Sequence, residues 1–350
     1  MVTLKQIAQS VGVSTATVSR VLNFDTSLSI TDAKRQAIIE TAEAMNYATP
    51  RNRNRANQLG LTRLALVHFL SPDKELIDPY YVGLRLGIER RCQALKIETV
   101  KVYHTRSLPD PTLLQSASGV IAIGQHSPDE INWLLQYARL LVFADFAPPE
   151  GGLDSVSSDL RLAMHRLVAA LWAKDYRRIG FIGWMEDYAE DPYGELRCSA
   201  FVEEMNRRGA FDPRICLTEK TPERNTERIG YDLTRRMIQS GDPPDALITC
   251  NDNMAVGAYR ALHEAGLTIP RDIAVASFND TSVAQFVTPP LTTVHLPAEE
   301  IGETAVELLL ERASGRELGK RITLESQIIW RGSTRRPEPA AAMTPGTPAT

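Results

Sequence analysis

Four polar residues stand just past, or one loop beyond, short apolar runs of this 350-residue chain: Asp145 after LLVFA, Arg197 in the stretch that follows RIGFIGW and its loop, Asn251 after ALITC, and Asn279 after IAVASF. Runs of that length and composition read as parallel strands, and the crevice of a parallel sheet opens at the carboxyl ends of its strands. A carboxylate, a guanidinium and two amides gathered there offer the acceptors and donors needed to fork onto neighbouring hydroxyls of a neutral sugar, given an aromatic or apolar face for the ring. Taken singly, each of the four equally suits a helix cap or a surface ion pair, which is the commoner role for such residues.

A second kind of chemistry lies at the N-terminus, where Thr3–Asn23, TLKQIAQSVGVSTATVSRVLN, runs as helix, glycine-containing turn, helix. Thr3 is placed to cap a helix over Leu4–Val11, with Leu4, Ile7, Ala8 and Val11 on one face, and Gly12 breaks it. Ser14 caps a second helix over Thr15–Leu22 that buries Ala16, Val18, Val21 and Leu22, and Asn23 ends it. A helix-turn-helix lays its second helix in the DNA major groove with the N-terminal side chains at base edges. The outward side chains here are small hydroxyls plus Arg20, although a purely structural helical hairpin would share the spacing. A third helix after the Thr31 cap carries Ala37, Ile38, Thr41, Ala42 and Met45 inward before Tyr47. Thr49–Gly60, TPRNRNRANQLG, is polar and basic and reads as a linker or conditional helix, with Arg51, Arg53 and Arg55 suited to phosphate contacts.

The elements that must position the first four residues repeat a strand-helix pattern from Leu64 onward. LALVHFL precedes Tyr81–Leu95, GVIAIG precedes Asp129–Tyr137, LLVFAD precedes Arg161–Ala173, RIGFIGW precedes Glu195–Arg208, ALITCN precedes Met254–Ala265, and IAVASFND and TTVHL lead to Glu299–Arg312. This alternation predicts an α/β fold of parallel sheets flanked by helices, and the number of units predicts two Rossmann-like lobes with a cleft between them. The expected layout is a three-helix headpiece over 1–48, a hinge over 49–62, a two-lobed core over 63–335, and a Pro/Ala/Thr-rich disordered tail over 336–350 that lacks a leucine heptad. Lobe one is expected over 63–158 and 294–316, lobe two over 159–293 and 317–335.

Composition excludes several classes. With 43% apolar and 23% charged residues the chain fits a folded protein of two or three domains. Its net charge of −4 hides an asymmetry, +4 over residues 1–63 and −8 over the remainder, which points the head alone at a polyanion. Cys92, Cys198, Cys216 and Cys250 have neither CxxC spacing nor the histidine neighbours of a zinc set, so they read as reduced, buried thiols and no metal is expected. No secretory leader pattern opens the sequence and no run reaches the ~20 apolar residues that span a bilayer, so the expected compartment is the cytoplasm, without a membrane partner. An enzyme on a Rossmann-like sheet would need GxGxxG or GxxxxGK(S/T) after a strand, or a Ser-His-Asp or HExxH group. None is present, and the histidines, among them His68, His104 and His126, are scattered, so neither catalysis nor a cofactor is expected. A secreted sugar-binding protein of transport would share the two lobes but have no use for the head.

GVSTATVSRVLN, with NYATP at Asn46–Pro50, resembles the headpiece of the LacI/GalR family of transcriptional repressors. The resemblance implies that Thr15 and Ala16 open the recognition helix and read bases, that Arg20 reaches a guanine edge, and that Thr3, Ser14, Thr17, Ser19, Asn23, Thr31 and Tyr47 position the phosphate backbone. Thr17 packing inward and Thr31 acting only as a cap remain open as alternatives. The family's hinge ends in Ala-x-x-Leu, whose leucines wedge into the minor groove. Ala56-Asn57-Gln58-Leu59 fits that pattern, three residues later after Tyr47 than the family spacing, which makes Leu59 either the wedge or part of a plain linker.

Further along, ALITCNDNMAVGAYRAL, IPRDIAVASFND and TPPLTTV resemble the family's periplasmic-binding-protein-like core. That likeness implies effector contacts at Asn251, at Asn279 where many relatives have Asp, at Arg197 in LRCSAF, and at Asp145 in FADF; Asp252 and Asp280 fall to capping and inter-element bonds. A narrower similarity, through DPYYVGLRLGIERRCQALKIE and SFNDTSVAQFVTPPLTTV, is to the family's galactoside-responsive branch. It implies an aromatic wall of Tyr80 and Tyr81 with Phe69 as a third member, core packing being the alternative for the tyrosines, and Asn225 where relatives often place an aromatic. The implied partners are a pseudo-palindromic operator in double-stranded DNA, a sugar effector and a second copy of the chain, a dimer because the tail offers no heptads to zip dimers together. A purine or phosphosugar as effector remains an alternative of the same fold.

Overall fold

The computed structural model describes residues 3–22, 25, 28–45, 56, 58–103, 108–149, 151–185, 191–220 and 226–334. Asn23, Tyr47, Arg51, Arg53, Arg55, Asn225 and the tail 336–350 lie outside the described residues. In chain order the helices are α1 (Leu4–Val11), α2 (Thr15–Leu22), α3 (Asp32–Ala44), α4 (Pro72–Leu76), α5 (Pro79–Leu95), α6 (Thr112–Gln115), α7 (Pro128–Tyr137), α8 (Leu160–Ala173), α9 (Leu196–Arg207), α10 (Thr226–Gln239), α11 (Asp252–Glu264), α12 (Val283–Phe286) and α13 (Ala298–Ala313). The strands are β1 (Arg63–His68), β2 (Glu98–Tyr103), β3 (Gly119–Ile123), β4 (Leu141–Ala144), β5 (Asp154–Ser158), β6 (Ile179–Met185), β7 (Cys216–Lys220), β8 (Ala246–Thr249), β9 (Ala274–Asn279), β10 (Thr292–His295), β11 (Arg321–Leu324) and β12 (Gln327–Ile329).

The chain divides into two compact units, Met1–Ser157 with Ala298–Leu324, and Ser158–Pro297 with Glu325–Thr350. Each holds a six-stranded sheet, and the two orders repeat one another: β11-β5-β4-β3-β1-β2 in the first and β12-β10-β9-β8-β6-β7 in the second. In both, the strand order reverses beside the first strand, β1 against β3 and β6 against β8, which is the switch point where open α/β sheets take ligands.

The first sheet is apolar on both faces, as a parallel sheet covered by helices requires. Alternate residues sort cleanly: Leu64, Leu66, Ile121, Ile123, Val142 and Ala144 join Leu84 and Ile88 of α5 and Ile301 and Ala305 of α13 in one cluster. Ala65, Val67, Val120, Ala122 and Phe143 join Leu114 of α6 and Ile131 and Leu134 of α7 in another. Where α5 meets α13, a Cβ on Gly87 would overlap the Glu299 backbone and one on Gly302 the Leu84 carbonyl, so only glycines allow this approach.

The expected lobe boundaries need two corrections. β10 pairs with β9, so 294–297 stay with the second unit, and the chain crosses back only at Ala298. The stretch 317–324 belongs to the first unit, because β11 adds to the edge at β5. Its anchor is Asp154, fully buried, whose carboxylate accepts from Arg312 Nε at 2.8 Å, Arg316 Nη1 at 2.9 Å and the Lys320 amide at 2.7 Å. Burial opposes that charge, but the two guanidiniums hold the carboxyl below its ordinary range. β12 then returns to the second sheet antiparallel to β10.

Candidate operator-reading and effector sites

The head is built by local caps. Thr3 and Gln6 form a reciprocal box, Thr3 N donating to Gln6 Oε1 at 2.8 Å, and Gly12, at φ 68°, turns the chain out of α1. Ser14 Oγ accepts from the Thr17 amide at 3.0 Å and lies 2.8 Å from Thr17 Oγ1, which starts α2. Ile7, Ala8, Val18, Val21, Ile38 and Ala42 form the head's own core. Thr15, Ala16 and Arg20 are exposed and Thr17 and Ser19 half-buried. The expected burial of Ala16 is therefore corrected: it stands on the outer side of α2, at the end that a groove would meet. Thr31 Oγ1 lies 3.4 Å from the Lys34 amide, a cap on α3. Arg20 Nε donates to Asp25 Oδ2 at 2.7 Å, so the expected base reader is held by a carboxylate just beyond its helix.

In the first unit the expected effector residues collect at the carboxyl ends of β1 and β4. Asp145 follows β4 with φ 64°, a left-handed conformation rare for a non-glycine residue, and its amide donates to Val156 O at 2.8 Å. Tyr80 and Tyr81, in the first turn of α5, converge on it: Tyr80 Oη donates to Oδ1 at 2.7 Å and Tyr81 Oη to Oδ2 at 3.1 Å. Phe69 packs edge-on against Tyr81 at 4.9 Å between ring centres, over Gly124, where a Cβ would overlap the Phe69 ring. Tyr80 is 6% exposed, so its part is to hold Asp145, while half-buried Phe69 and Tyr81 supply ring surface. Beneath them His68, 2% exposed, lies 3.7 Å from Glu75, which also accepts from Arg85 and, at 2.8 Å, from Tyr103 Oη. Burial pushes the His68 imidazole down to about 4, against the pull of Glu75.

In the second unit Arg197 is 8% exposed at the head of α9. Its Nε donates to Glu195 Oε1 at 2.8 Å, its Nη1 donates to Cys250 O at 2.9 Å, and its guanidinium carbon lies 5.0 Å from the Trp184 ring centre and 6.0 Å from that of Phe278. Asn251, two residues past β8 and 1% exposed, caps α11 by accepting from the Met254 amide at 2.9 Å. Asn279 ends β9 half-buried at φ 104°, followed by Asp280 at φ 58°. Asp252 accepts from Thr281 N and, across to β10, from Thr293 Oγ1 at 2.8 Å, an inter-element role; burial pushes its carboxyl up to about 6. Asp280 pairs with Arg331 at 2.7 Å. All four cysteines are buried and free, and among the described residues no cluster of three metal-ligating side chains occurs.

Comparison with known proteins gives this architecture a context. Residues 3–50 match the model for bacterial regulatory proteins of the lacI family, and residues 168–334 match the periplasmic binding protein-like domain. The HTH-type transcriptional repressor MelR of Bacillus subtilis (strain 168) is 35% identical over 344 residues, spanning 95% of this chain and 97% of the relative. The chain belongs to the LacI family of transcriptional regulators. A lactose operon repressor of Rhizobium radiobacter is 53% identical over 108 residues, 31% of this chain and 96% of the relative. The structure of a lac repressor dimer bound to operator and the anti-inducer ONPF superposes with a TM-score of 0.65 at 25% identity, over 95% of this chain and 99% of that one. Members of this family are DNA-binding regulators and not enzymes, which disposes of the Rossmann-enzyme alternative.

Two features of this LacI-family regulator were not anticipated. Glu195, Trp184 and Phe278 fix the Arg197 guanidinium, and Glu195 had a readable signal, since it directly precedes α9 at the N-cap position. Ala56 is fully buried in the core of the first unit with Leu59 packed against it, so Leu59 must leave that contact to act as a wedge. Among the described residues no helix is long and apolar enough to cross a membrane.

Proposed function

We propose that this regulator is a homodimeric repressor of sugar-utilisation genes, working in the cytoplasm on a pseudo-palindromic operator and released by galactose or a galactoside. The observation that carries the effector reading is the Asp145 carboxylate, fixed at a strand end by two tyrosine hydroxyls beside the Phe69 ring. Oriented acceptors next to an aromatic face are what a pyranose ring needs. Arg197, Asn251 and Asn279 supply the donors at the strand ends of the second unit. The lactose operon repressor among the relatives favours a galactoside, and the lac repressor dimer favours assembly in pairs.

On the DNA side, Thr15, Ala16 and Arg20 read bases, while Thr3, Ser14, Thr17, Ser19 and Thr31, with Asn23, Tyr47 and the arginines of the linker, contact phosphates. Leu59 is the wedge only in the operator-bound state. Release follows if the sugar binds one conformational state better than the operator-binding one, in which case operator must weaken sugar binding by the same factor. Calorimetry of the full chain against galactose, lactose, methyl β-galactoside, adenine and glucose 6-phosphate, each with and without operator, tests this. A galactoside that binds, and binds more weakly in the presence of operator, is the expected result; binding of the purine or phosphosugar alone overturns the effector assignment, and a galactoside that tightens operator binding overturns the switch.

A further inference from the structure

Asn279 ends β9 at φ 104° and Asp280 follows at φ 58°, two successive non-glycine residues in the left-handed region. Such a turn persists only where its surroundings over-determine it. One tie is the ion pair of Asp280 with Arg331 at 2.7 Å. The other is Asp252, fully buried in the first turn of α11. Its Oδ2 accepts from the Thr281 amide at 2.6 Å and from Thr281 Oγ1 at 3.0 Å, and its Oδ1 accepts from Thr293 Oγ1 of β10 at 2.8 Å. Thr293 Oγ1 in turn accepts from the Asp280 amide at 3.3 Å. Both residues after Asn279 therefore hang on Asp252, one directly and one through a single hydroxyl. The titratable and charged groups on the elements packed here are Tyr259 of α11, whose hydroxyl donates to Pro289 O, the Cys250 thiol after β8, the Asp280–Arg331 pair, and His295 of β10, 3.4 Å from Asp280. Thr249 and Ser277, of β8 and β9, are bonded to each other at 2.9 Å.

We propose that Asp252 is a positioning residue for the effector: its ionised carboxylate holds the turn that presents Asn279, and a proton on it weakens sugar binding, so that the regulator answers less to its sugar in acid. The inference rests on the reading of Asn279 as an effector contact. An ionised carboxylate only accepts, which is what the amide and hydroxyls aimed at Asp252 require. Once protonated, one of its oxygens must donate. A proton on Oδ1 points at Thr293 Oγ1, which already takes the Asp280 amide, and a proton on Oδ2 displaces a Thr281 bond. Either way a tie to the turn weakens, and Asn279 meets the sugar less well oriented. Burial pushes the Asp252 carboxyl up to about 6, against the pull of the Thr281 and Thr293 bonds. The change therefore falls between neutral and mildly acid solution: at pH 7.5 the group is ionised, and at pH 5 only about a tenth of it is.

The test is isothermal titration of the full chain with methyl β-galactoside between pH 7.5 and pH 5, in the wild type and in Asp252→Asn, Thr293→Val, Asn279→Ala and His295→Gln. Wild-type affinity should fall about tenfold over that range at unchanged stoichiometry, following the ionised fraction. Asp252→Asn, neutral at every pH, should bind about tenfold more weakly than the wild type at pH 7.5 and show no fall. Thr293→Val deletes one bond to the charged form and should move the midpoint of the fall to higher pH, which carries the test if Asp252→Asn does not fold. Asn279→Ala should bind weakly throughout and without the fall, because Asp252 acts through that residue. His295→Gln should follow the wild-type profile, which separates the carboxylate from the neighbouring imidazole. A flat wild-type profile, a fall that persists in Asp252→Asn or vanishes in His295→Gln, or an unmoved midpoint in Thr293→Val overturns the role of Asp252 and leaves the effector site standing. If the wild type binds no methyl β-galactoside at any pH, or Asn279→Ala binds it as the wild type does, the reading of the site falls, and the proposal with it.

Discussion

Arg197→Ala should give a repressor that holds its operator and ignores its sugar. The guanidinium donates to Cys250 O at 2.9 Å and to Glu195 at 2.8 Å, lies over Trp184, and is 8% exposed, so it presents a fixed fork rather than a mobile one. Deleting two charge-assisted hydrogen bonds to sugar hydroxyls, at about 1.5–3 kcal/mol each, removes about 3–6 kcal/mol of binding, or about two to four decades in Kd. Glu195 keeps its backbone donors in the variant, which puts the stability loss near about 3 kcal/mol, the low end for a broken buried ion pair, and confines it to a different compact unit from the head. Anisotropy of labelled operator, followed through a galactoside titration of the wild type, Arg197→Ala and Arg197→Lys, reads the effect. Without sugar the three operator affinities should agree, while the release midpoint of Arg197→Ala rises at least about a hundredfold, with Lys intermediate because it offers a point charge instead of a fork. Release of the Ala variant at wild-type sugar concentrations would remove Arg197 from the site.

Two further outcomes can be checked on the same protein. Arg20→Ala should erase the preference for one base pair in each half-site, at ~1–3 kcal/mol per half-site, whereas Arg53→Ala should weaken binding to all sequences alike and lower the salt slope by about 1; equal losses on specific and nonspecific DNA for Arg20→Ala would make it a phosphate contact. His68 titrates near 4 in the folded chain against 6.5 when unfolded, so the unfolded state takes up the proton first as pH falls and the stability held above pH 6.5 is lost on the way down to about 4. Between pH 7 and 5 this is about 2 kcal/mol, which chemical denaturation should find in the wild type and not in His68→Gln; equal acid sensitivity in both would place the loss elsewhere.

Elements fixed by neighbours in sequence were legible to the residue. α1 and α2 begin and end where Thr3, Gly12 and Ser14 dictate, because a cap is satisfied within three residues of itself. The strand ends were legible as well, since apolar runs stop where the crevice opens. The placement of 317–324 was not, because what holds it is Asp154, 158 to 166 positions away, and RITL is an edge strand whose alternating exposure leaves no long apolar run. Ala16 was misplaced for a related reason: a helix of eight residues has a narrow inner stripe, and Val18 and Val21 fill it.

For the residues of the proposed effector site, the role of cap or ion-pair member and that of ligand contact do not exclude each other. Asn251 caps α11 with its oxygen, and that bond is what aims its amide donors; Arg197 is ion-paired, and Glu195 is what keeps its fork from sampling solvent; Asp145 is clamped by two phenols before any sugar arrives. Each structural bond uses part of a side chain's hydrogen-bonding capacity and fixes the geometry of the remainder. Because an unconstrained side chain loses about 0.5–1.5 kcal/mol of rotamer entropy when it is immobilised on a ligand, groups already held by the fold bind more tightly for the same contacts. The commonplace role is thus a condition for the functional one, and at a strand end that opens on a crevice it counts in favour of a binding site.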